Sequence, residues 1–187
     1  MVVEIRAASG AHADAISGIY APMVQRSAAS FEELPPDAGE IRRRMLAEPR
    51  LPWLVAVDGD RIAGYAYASQ HRQRAAYRWS ADVSIYLDEA YQGRGIGRAL
   101  YGRLIPEVRD LGYVTLFAGI ALPNPGSVGL HESFGFRPVG VFGQVGFKHG
   151  AWRDVGWWQL PLEQPPVPPG APRAWEPPDD PVPRTAG

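Results

Sequence analysis

The stretch Tyr91-Gln92-Gly93-Arg94-Gly95-Ile96-Gly97-Arg98-Ala99-Leu100 constrains this chain more than any other. Before it lies Asp82-Val83-Ser84-Ile85-Tyr86-Leu87, alternating and β-branched, which reads as a strand. After it, apolar residues recur at 100, 104, 108 and 111, the spacing of a helix. The glycines therefore occupy a strand-to-helix turn. Such a turn offers unpaired N–H groups and the positive end of a helix dipole. Glycine lets an anion approach that backbone, and the natural ligand is a phosphate or pyrophosphate. A P-loop would need Gly-Lys-Ser/Thr at its end, and the turn has no lysine. A dinucleotide fingerprint needs G-x-G-x-x-G/A, but the last place falls on Arg98 or Leu100. What stands is Gln92-x-x-Gly95-x-Gly97.

The bulk properties remove other classes. A length of 187 residues suits one domain with a real core. A net charge of −1 argues against nucleic acid as a partner. No apolar run approaches membrane-spanning length, and the opening Met-Val-Val-Glu-Ile-Arg does not read as a signal peptide, so no membrane association is expected. The chain has no cysteine, which excludes disulfides, thiol nucleophiles and thiolate metal sites. No metal is expected, and a cytoplasmic location is. Only Lys148 among the 19 basic residues is lysine, an excess of arginine that reads as codon bias beside abundant Ala, Gly and Pro.

The flanking chain supplies the rest of an α/β fold. Residues 2–6 read as a strand. A helix within 8–30 opens near His12, with Pro22 expected to kink or end it. Asp37 can cap a second helix that Pro49 stops. Residues 53–57 and 61–69 form strands around Asp58-Gly59-Asp60, a hairpin signal. Residues 70–78 are polar and basic, a loop or frayed strand end. Strand, glycine turn, helix and a strand at 114–120 make a βαβ unit, so those two strands should be parallel. A short helix is expected at 127–134 and late strands at 137–145 and 153–160, joined through 146–152. The reading is a mixed sheet of six or seven strands with helices on both faces. Where its parallel pair splays, a ligand can enter. From residue 164 onward nine of 24 residues are proline and the periodicity stops, so 164–187 is expected to be an extended or disordered tail on a 1–163 domain.

The Gln92-x-x-Gly95-x-Gly97 turn resembles the acyl-CoA pyrophosphate loop of the GNAT N-acetyltransferase superfamily. Other stretches narrow the resemblance to the phosphinothricin (methionine sulfoximine) N-acetyltransferase family. They are Trp53-Leu54-Val55-Ala56, Ala76-Tyr77-x-Trp79-Ser80-Ala81-Asp82, His131-Glu132-x-x-Gly135, Gly146-Phe147-Lys148-His149-Gly150-x-Trp152-x-Asp154-Val155-Gly156 and Trp158-Gln159-Leu160. They run from Ile5 to about Leu162 and exclude the tail. Two departures stand out. The family commonly has glutamate where this chain has Asp82, and Asn-x-Pro-Ser where it has Asn124-Pro125-Gly126-Ser127.

The resemblance implies the GNAT acyl-CoA N-acyltransferase fold, acetyl-CoA as co-substrate, a small amino acid as acceptor and a homodimer. Amine acetylation needs a base for the ammonium, a polarised thioester carbonyl and a proton or other stabilisation for the departing thiolate. Asp82 matches the family's proposed carboxylate and, being shorter, is expected to work through a water. His131 stands at the helix position from which the thiolate would be protonated. Ile85 and Leu87 would pair with pantetheine. Gly93, Arg94, Gly95, Ile96, Gly97 and Arg98 would take the pyrophosphate, with Asn124 and Ser127 on the other flank of CoA. Arg72 and Arg74, two apart on what would be an extended segment, are expected to face one anionic group. Phe31 and Tyr77 match positions lining the same pocket. His12, His71 and His149 read as weaker candidates, one at a cap and two in loops. The other readings are an N-acetyltransferase for a different primary amine, such as a peptide N-terminus, and a non-catalytic acetyl-CoA-binding module.

Overall fold

The computed structural model describes residues 3–178. Seven strands form one sheet: β1 (Glu4–Ala7), β2 (Trp53–Asp58), β3 (Arg61–Gln70), β4 (Ser80–Leu87), β5 (Thr115–Ala121), β6 (Arg137–Lys148) and β7 (Ala151–Pro161). Their spatial order is β1-β2-β3-β4-β5-β7-β6. Four helices cover it: α1 (Ala13–Arg26), α2 (Ala38–Met45), α3 (Ile96–Asp110) and α4 (Pro125–Ser133). The first strand begins two residues later than expected, and Val2 lies outside the described residues.

Strand alternation builds two cores. In β2, Leu54 and Ala56 join one cluster with Leu100, Tyr101, Leu104 and Val108 of α3. Trp53, Val55 and Val57 join the other, with Ile16, Tyr20 and Val24 of α1 and Ile41 of α2. Successive side chains point to opposite faces, so one continuous apolar run serves both. Each fully buried Leu or Ile contributes about 1.5–3 kcal/mol. That packing explains why Pro22 and Pro106 end neither α1 nor α3. One lost backbone hydrogen bond is outweighed by the apolar face on either side. Asp37 caps α2 as expected, accepting from the Glu40 N–H at 2.8 Å.

The late hairpin is longer than the sequence suggested. β6 and β7 run on through most of 146–152, leaving only His149-Gly150 as the turn. Both turn residues have positive φ, 51° and 72°, which matches the twist of a two-residue hairpin. A bulge interrupts the pairing between Phe142 and Gly146. There Gln144 has φ 53°, and its N–H donates to Asp154 Oδ1 at 2.7 Å.

The described part of the proline-rich segment, which ends at Pro178, has no helix or strand but is fastened to the domain through Gly170, Arg173 and Trp175, and residues 179–187 of the expected tail lie outside the described residues. Trp175 is 5 % exposed and belongs to the α3 core. Its indole N–H donates to Glu107 Oε2 at 3.0 Å and its backbone N–H to the Arg50 carbonyl at 2.9 Å. The Arg173 N–H donates to the Leu111 carbonyl at 2.8 Å, and Trp79 Nε1 donates to the Gly170 carbonyl at 2.6 Å. A boundary at residue 163 is thus one of composition, while the core continues to Trp175.

Candidate active site

The β4–β5 pairing is parallel, as the βαβ unit required, and short. It joins only Ser80, Ala81 and Asp82 to Thr115, Leu116 and Phe117. β4 continues to Leu87 and β5 to Ala121 without each other, so the strands part as a fork. A cavity of about 500 Å³ fills the gap. Met23, Ala29, Ser84 and Tyr86 line it from the α1 side, and Ile85, Leu87, Leu130 and His131 from the α3–α4 side, so the cavity passes through the sheet.

The glycine turn forms one rim. Gly93 and Gly95 have φ of 72° and 80°, a left-handed backbone that other residues adopt at a cost. Gly95 is the residue before α3, so the first N–H groups of a 15-residue helix open on the cavity. At Gly97 the limit is space, since a Cβ would come 3.1 Å from Leu130 Cδ2. Ile85, Leu87, Gly93, Gly95, Ile96, Gly97, Arg98, Asn124 and Ser127 all line this cavity. Arg94 is not in the lining, and its guanidinium sits 5.6 Å above the Tyr91 ring. The Asn124 side chain is engaged in capping α4, accepting from the Ser127 N–H at 3.1 Å with Pro125 in the first turn. That cap starts α4 at 125, two residues earlier than expected.

His131 is 3 % exposed and held at both nitrogens. Nδ1 donates to the Ser127 carbonyl at 2.7 Å, and Nε2 lies 2.9 Å from the Tyr101 hydroxyl. Burial pushes its pKa below the ordinary histidine value, so the ring is neutral. Asp82 lies at the fork's apex, with burial raising its pKa against the opposing pull of a hydrogen bond to His71.

His71 is what the sequence reading passed over. Its Nδ1 lies 2.6 Å from Asp82 Oδ1, and its ring stacks on Phe117 at 4.3 Å. Tyr77 meets the same ring edge-on at 6.0 Å, and Arg72 lies 5.8 Å over the Trp157 ring. Arg72 and Arg74 lie in the connection between β3 and the turn at Ala75–Tyr77. Residues past Gln70 leave the strand, and Ala75–Tyr77 is a tight helical turn, so the alternation argument fails there. Among the described residues no hydrogen bond or ion pair holds the Arg74 guanidinium.

Phe31 is placed by the Gly-Phe-Lys-His-Gly run. Lys148 Nζ donates to the Ser30 and Glu32 carbonyls at 2.6 and 2.7 Å, clasping Phe31 between them. His149 Nε2 lies 3.2 Å from the Ser27 carbonyl. Gly146 leaves room for the Phe31 ring, which a Cβ would meet at 2.3 Å. Glu32 in turn takes two hydrogen bonds from Arg44, at 2.8 and 2.9 Å, which hold its carboxyl below the usual range. The run is thus the fastening of the loop that carries Phe31.

Known proteins match this geometry. The acetyltransferase (GNAT) family profile matches residues 20–136. A phosphinothricin N-acetyltransferase of Streptomyces viridochromogenes is 36% identical over 167 residues, covering 89% of this chain and 91% of its own. An L-methionine sulfoximine/L-methionine sulfone acetyltransferase of Salmonella typhimurium is 35% identical, covering 86% of this chain and 95% of its own. The crystal structure of a GNAT superfamily phosphinothricin acetyltransferase from Sinorhizobium meliloti, in complex with acetyl-CoA, superposes with a TM-score of 0.82 at 36% identity. That superposition covers 99% of this chain and 98% of the other, so the proline-rich segment falls within it. With the forked sheet, the glycine turn and these relatives in agreement, the chain belongs to the GNAT acetyltransferase superfamily, within its phosphinothricin (methionine sulfoximine) N-acetyltransferase family.

Proposed function

We propose that this enzyme transfers the acetyl group of acetyl-CoA to the α-amino group of a small amino acid such as phosphinothricin or methionine sulfoximine or sulfone. The amine attacks the thioester directly. The observation that carries this reading is the fork. Its cavity crosses the sheet from the glycine turn on one side to the Met23–Ala29 side on the other. A thioester laid in it meets an acceptor arriving from the α1 face.

The chain's own groups divide the work. The first-turn N–H groups of α3 hold the pyrophosphate, with Arg94 and Arg98 as charged flankers. Backbone at Ile85 and Leu87 pairs with the pantetheine arm, and a strand N–H near Leu87 polarises the thioester carbonyl. Asn124 stiffens the far flank by capping α4, with Ser127 beside it. Asp82 governs the acceptor's proton and His131 stands beside the thiolate path. Phe31, Arg72, Arg74 and Tyr77 shape the acceptor pocket, with the Arg72 charge acting on Asp82.

The working form is a homodimer in the cytoplasm. β6 is an edge strand, and Val139, Val141, Phe142, Val145 and Phe147 on it are each more than half exposed, as is Trp152 on β7. An exposed apolar edge of that size suits a second copy of the chain. Among the described residues no helix is long and apolar enough to cross a membrane.

CoA release from acetyl-CoA is the test, with phosphinothricin, methionine sulfoximine, methionine sulfone, the common amino acids, a short peptide and spermidine as acceptors. Turnover of the first three with kcat/KM above about 10⁴ M⁻¹s⁻¹ is expected. Preference for the peptide or spermidine would move the assignment to another amine.

A further inference from the structure

The residue that follows β3 carries chemistry that the roles above leave unused. β3 and β4 pair with Ser69 opposite Asp82 and Gln70 opposite Ala81. The chain leaves the strand after Gln70, and the first residue beyond it, His71, turns its ring onto Asp82. The two meet at 2.6 Å, Nδ1 to Oδ1. The imidazole lies nearly parallel to Phe117, 16° between planes, and Trp157 closes it edge-on at 6.1 Å. Asp82 and Phe117 are the last partners of the parallel ladder. The ring therefore stacks on the last pair of the parallel ladder.

Its two nitrogens are in different situations. Nδ1 is bound to the carboxylate and is the donor. No group among the described residues hydrogen-bonds Nε2, and the side chain keeps 10 % of its surface exposed. His131 offers no such free nitrogen, since Ser127 and Tyr101 occupy both of its own.

We propose that His71 is the base that takes the acceptor's proton, with Nε2 as the accepting atom, and that Asp82 is the positioning residue that fixes its tautomer through Nδ1. The proposal rests on the acetyl-transfer reading above. It replaces a direct or water-mediated role for the Asp82 carboxylate. An imidazole is a stronger base than a carboxylate, which suits it to take a proton from an ammonium. The ammonium gives one proton to Nε2, and the imidazolium is stabilised by the Asp82 carboxylate. The freed lone pair forms the C–N bond at the thioester carbon. The adduct collapses, the C–S bond breaks and the thiolate leaves with the electron pair. The second proton lost from nitrogen neutralises that thiolate, and His71 releases the first to solvent. The charged groups beside the ring are Asp82 from β4 and Arg72. Arg72 Nη1 donates to the His71 carbonyl at 3.2 Å. Tyr77, Phe117 and Trp157 present uncharged rings.

The experiment compares wild type with His71→Phe, Asp82→Asn, Asp82→Glu and the double variant His71→Phe/Asp82→Asn. It reads kcat/KM against pH for the best acceptor, acetyl-CoA affinity by calorimetry, and the imidazole ¹⁵N shifts of His71. Phenylalanine keeps the stack on Phe117. Expected are a loss of about 10²-fold or more at pH 7 for His71→Phe, partial recovery at pH 9.5 and unchanged acetyl-CoA affinity. Asp82→Asn should lose a similar factor. The double variant should lose no more than the worse single one, because the pair acts as a unit. Asp82→Glu, which keeps the carboxylate, should restore most of the rate. The ¹⁵N shifts should place the neutral proton on Nδ1. If His71→Phe stays within about threefold of wild type at pH 7, where a base is worth 10²-fold or more, the proposal falls and the acetyl-transfer reading stands. A proton found on Nε2 also overturns it. A wild type inert on every amine overturns the acetyl-transfer reading itself, and the base with it.

Discussion

The hydroxyl of Tyr101 lies 2.9 Å from Nε2 of His131, deep between α3 and α4. Because Nδ1 must donate to the Ser127 carbonyl, Nε2 is left to accept, and the Tyr101 O–H is its donor. The neutral imidazole satisfies both partners and the imidazolium does not. Burial raises the Tyr101 pKa as it lowers that of His131, so the pair stays uncharged.

A pH effect on stability follows. The folded pKa of His131 lies below the unfolded one, so the unfolded chain takes up this proton first as pH falls. The contribution is whole above about pH 6.5 and drains away as pH drops toward the depressed folded value. Thermal unfolding between pH 7.5 and 5 should show Tm falling on the acid side. In His131→Asn the fall should be shallower, and the whole curve lower by about 1–3 kcal/mol because the Tyr101 hydroxyl loses its acceptor. Equal slopes for the two proteins would contradict the neutral assignment.

Lys148→Met should act on the acceptor and not on acetyl-CoA. It removes two hydrogen bonds to the carbonyls on either side of Phe31. Steady-state kinetics should show a higher KM for the amino acid, with acetyl-CoA affinity unchanged. Denaturant unfolding should show a loss on the order of 1.5–3 kcal/mol. A purely structural lysine would lower stability without moving the acceptor KM.

Gly95→Ala tests the other rim. The backbone there has φ 80° and ψ 0°, so an L-residue costs about 1–2 kcal/mol. The first turn of α3 should shift, and calorimetry should show acetyl-CoA binding weakened by about tenfold, the factor that 1.4 kcal/mol sets. The acceptor KM should barely change.

Trp175→Ala should destabilise the domain by about 3–5 kcal/mol, as a core tryptophan does. Glu107→Gln keeps a hydrogen-bond acceptor for the indole and should cost far less. A chain that unfolds at the same temperature without the indole would mean that the segment adds nothing to the core.

The legible parts of the fold were the local ones. Strand, glycine turn, helix and strand at 82–120 announced themselves through periodicity and φ-permissive residues a few positions apart. The fork followed from the parallel pairing they require. His71 was hidden because its partner stands 11 residues away across a hairpin whose register no local pattern fixes. Once Ser69 is set opposite Asp82, the residue just past the strand end, His71, comes within reach of the carboxylate. For Arg72 and Arg74 strand alternation is no guide either, since it holds only while the chain stays extended. Trp175 was masked by proline. A lone large indole within such a segment was the available sign that it docks.

Trp79 has a part beyond leading into β4. Its carbonyl accepts from the N–H groups of Val114 and Thr115 at 2.9 and 3.4 Å, while its indole holds Gly170. The closed end of the fork is thus pinned by three separate stretches of chain. The open end has no such bracing between β4 and β5. A sheet that must admit a long thioester between two of its strands behaves here like a clothes-peg, with the spring behind Asp82 and the jaws beyond it. The jaws already stand apart, and the parallel ladder closes only at the spring. The acceptor's base sits there and need not shift when the thioester arrives.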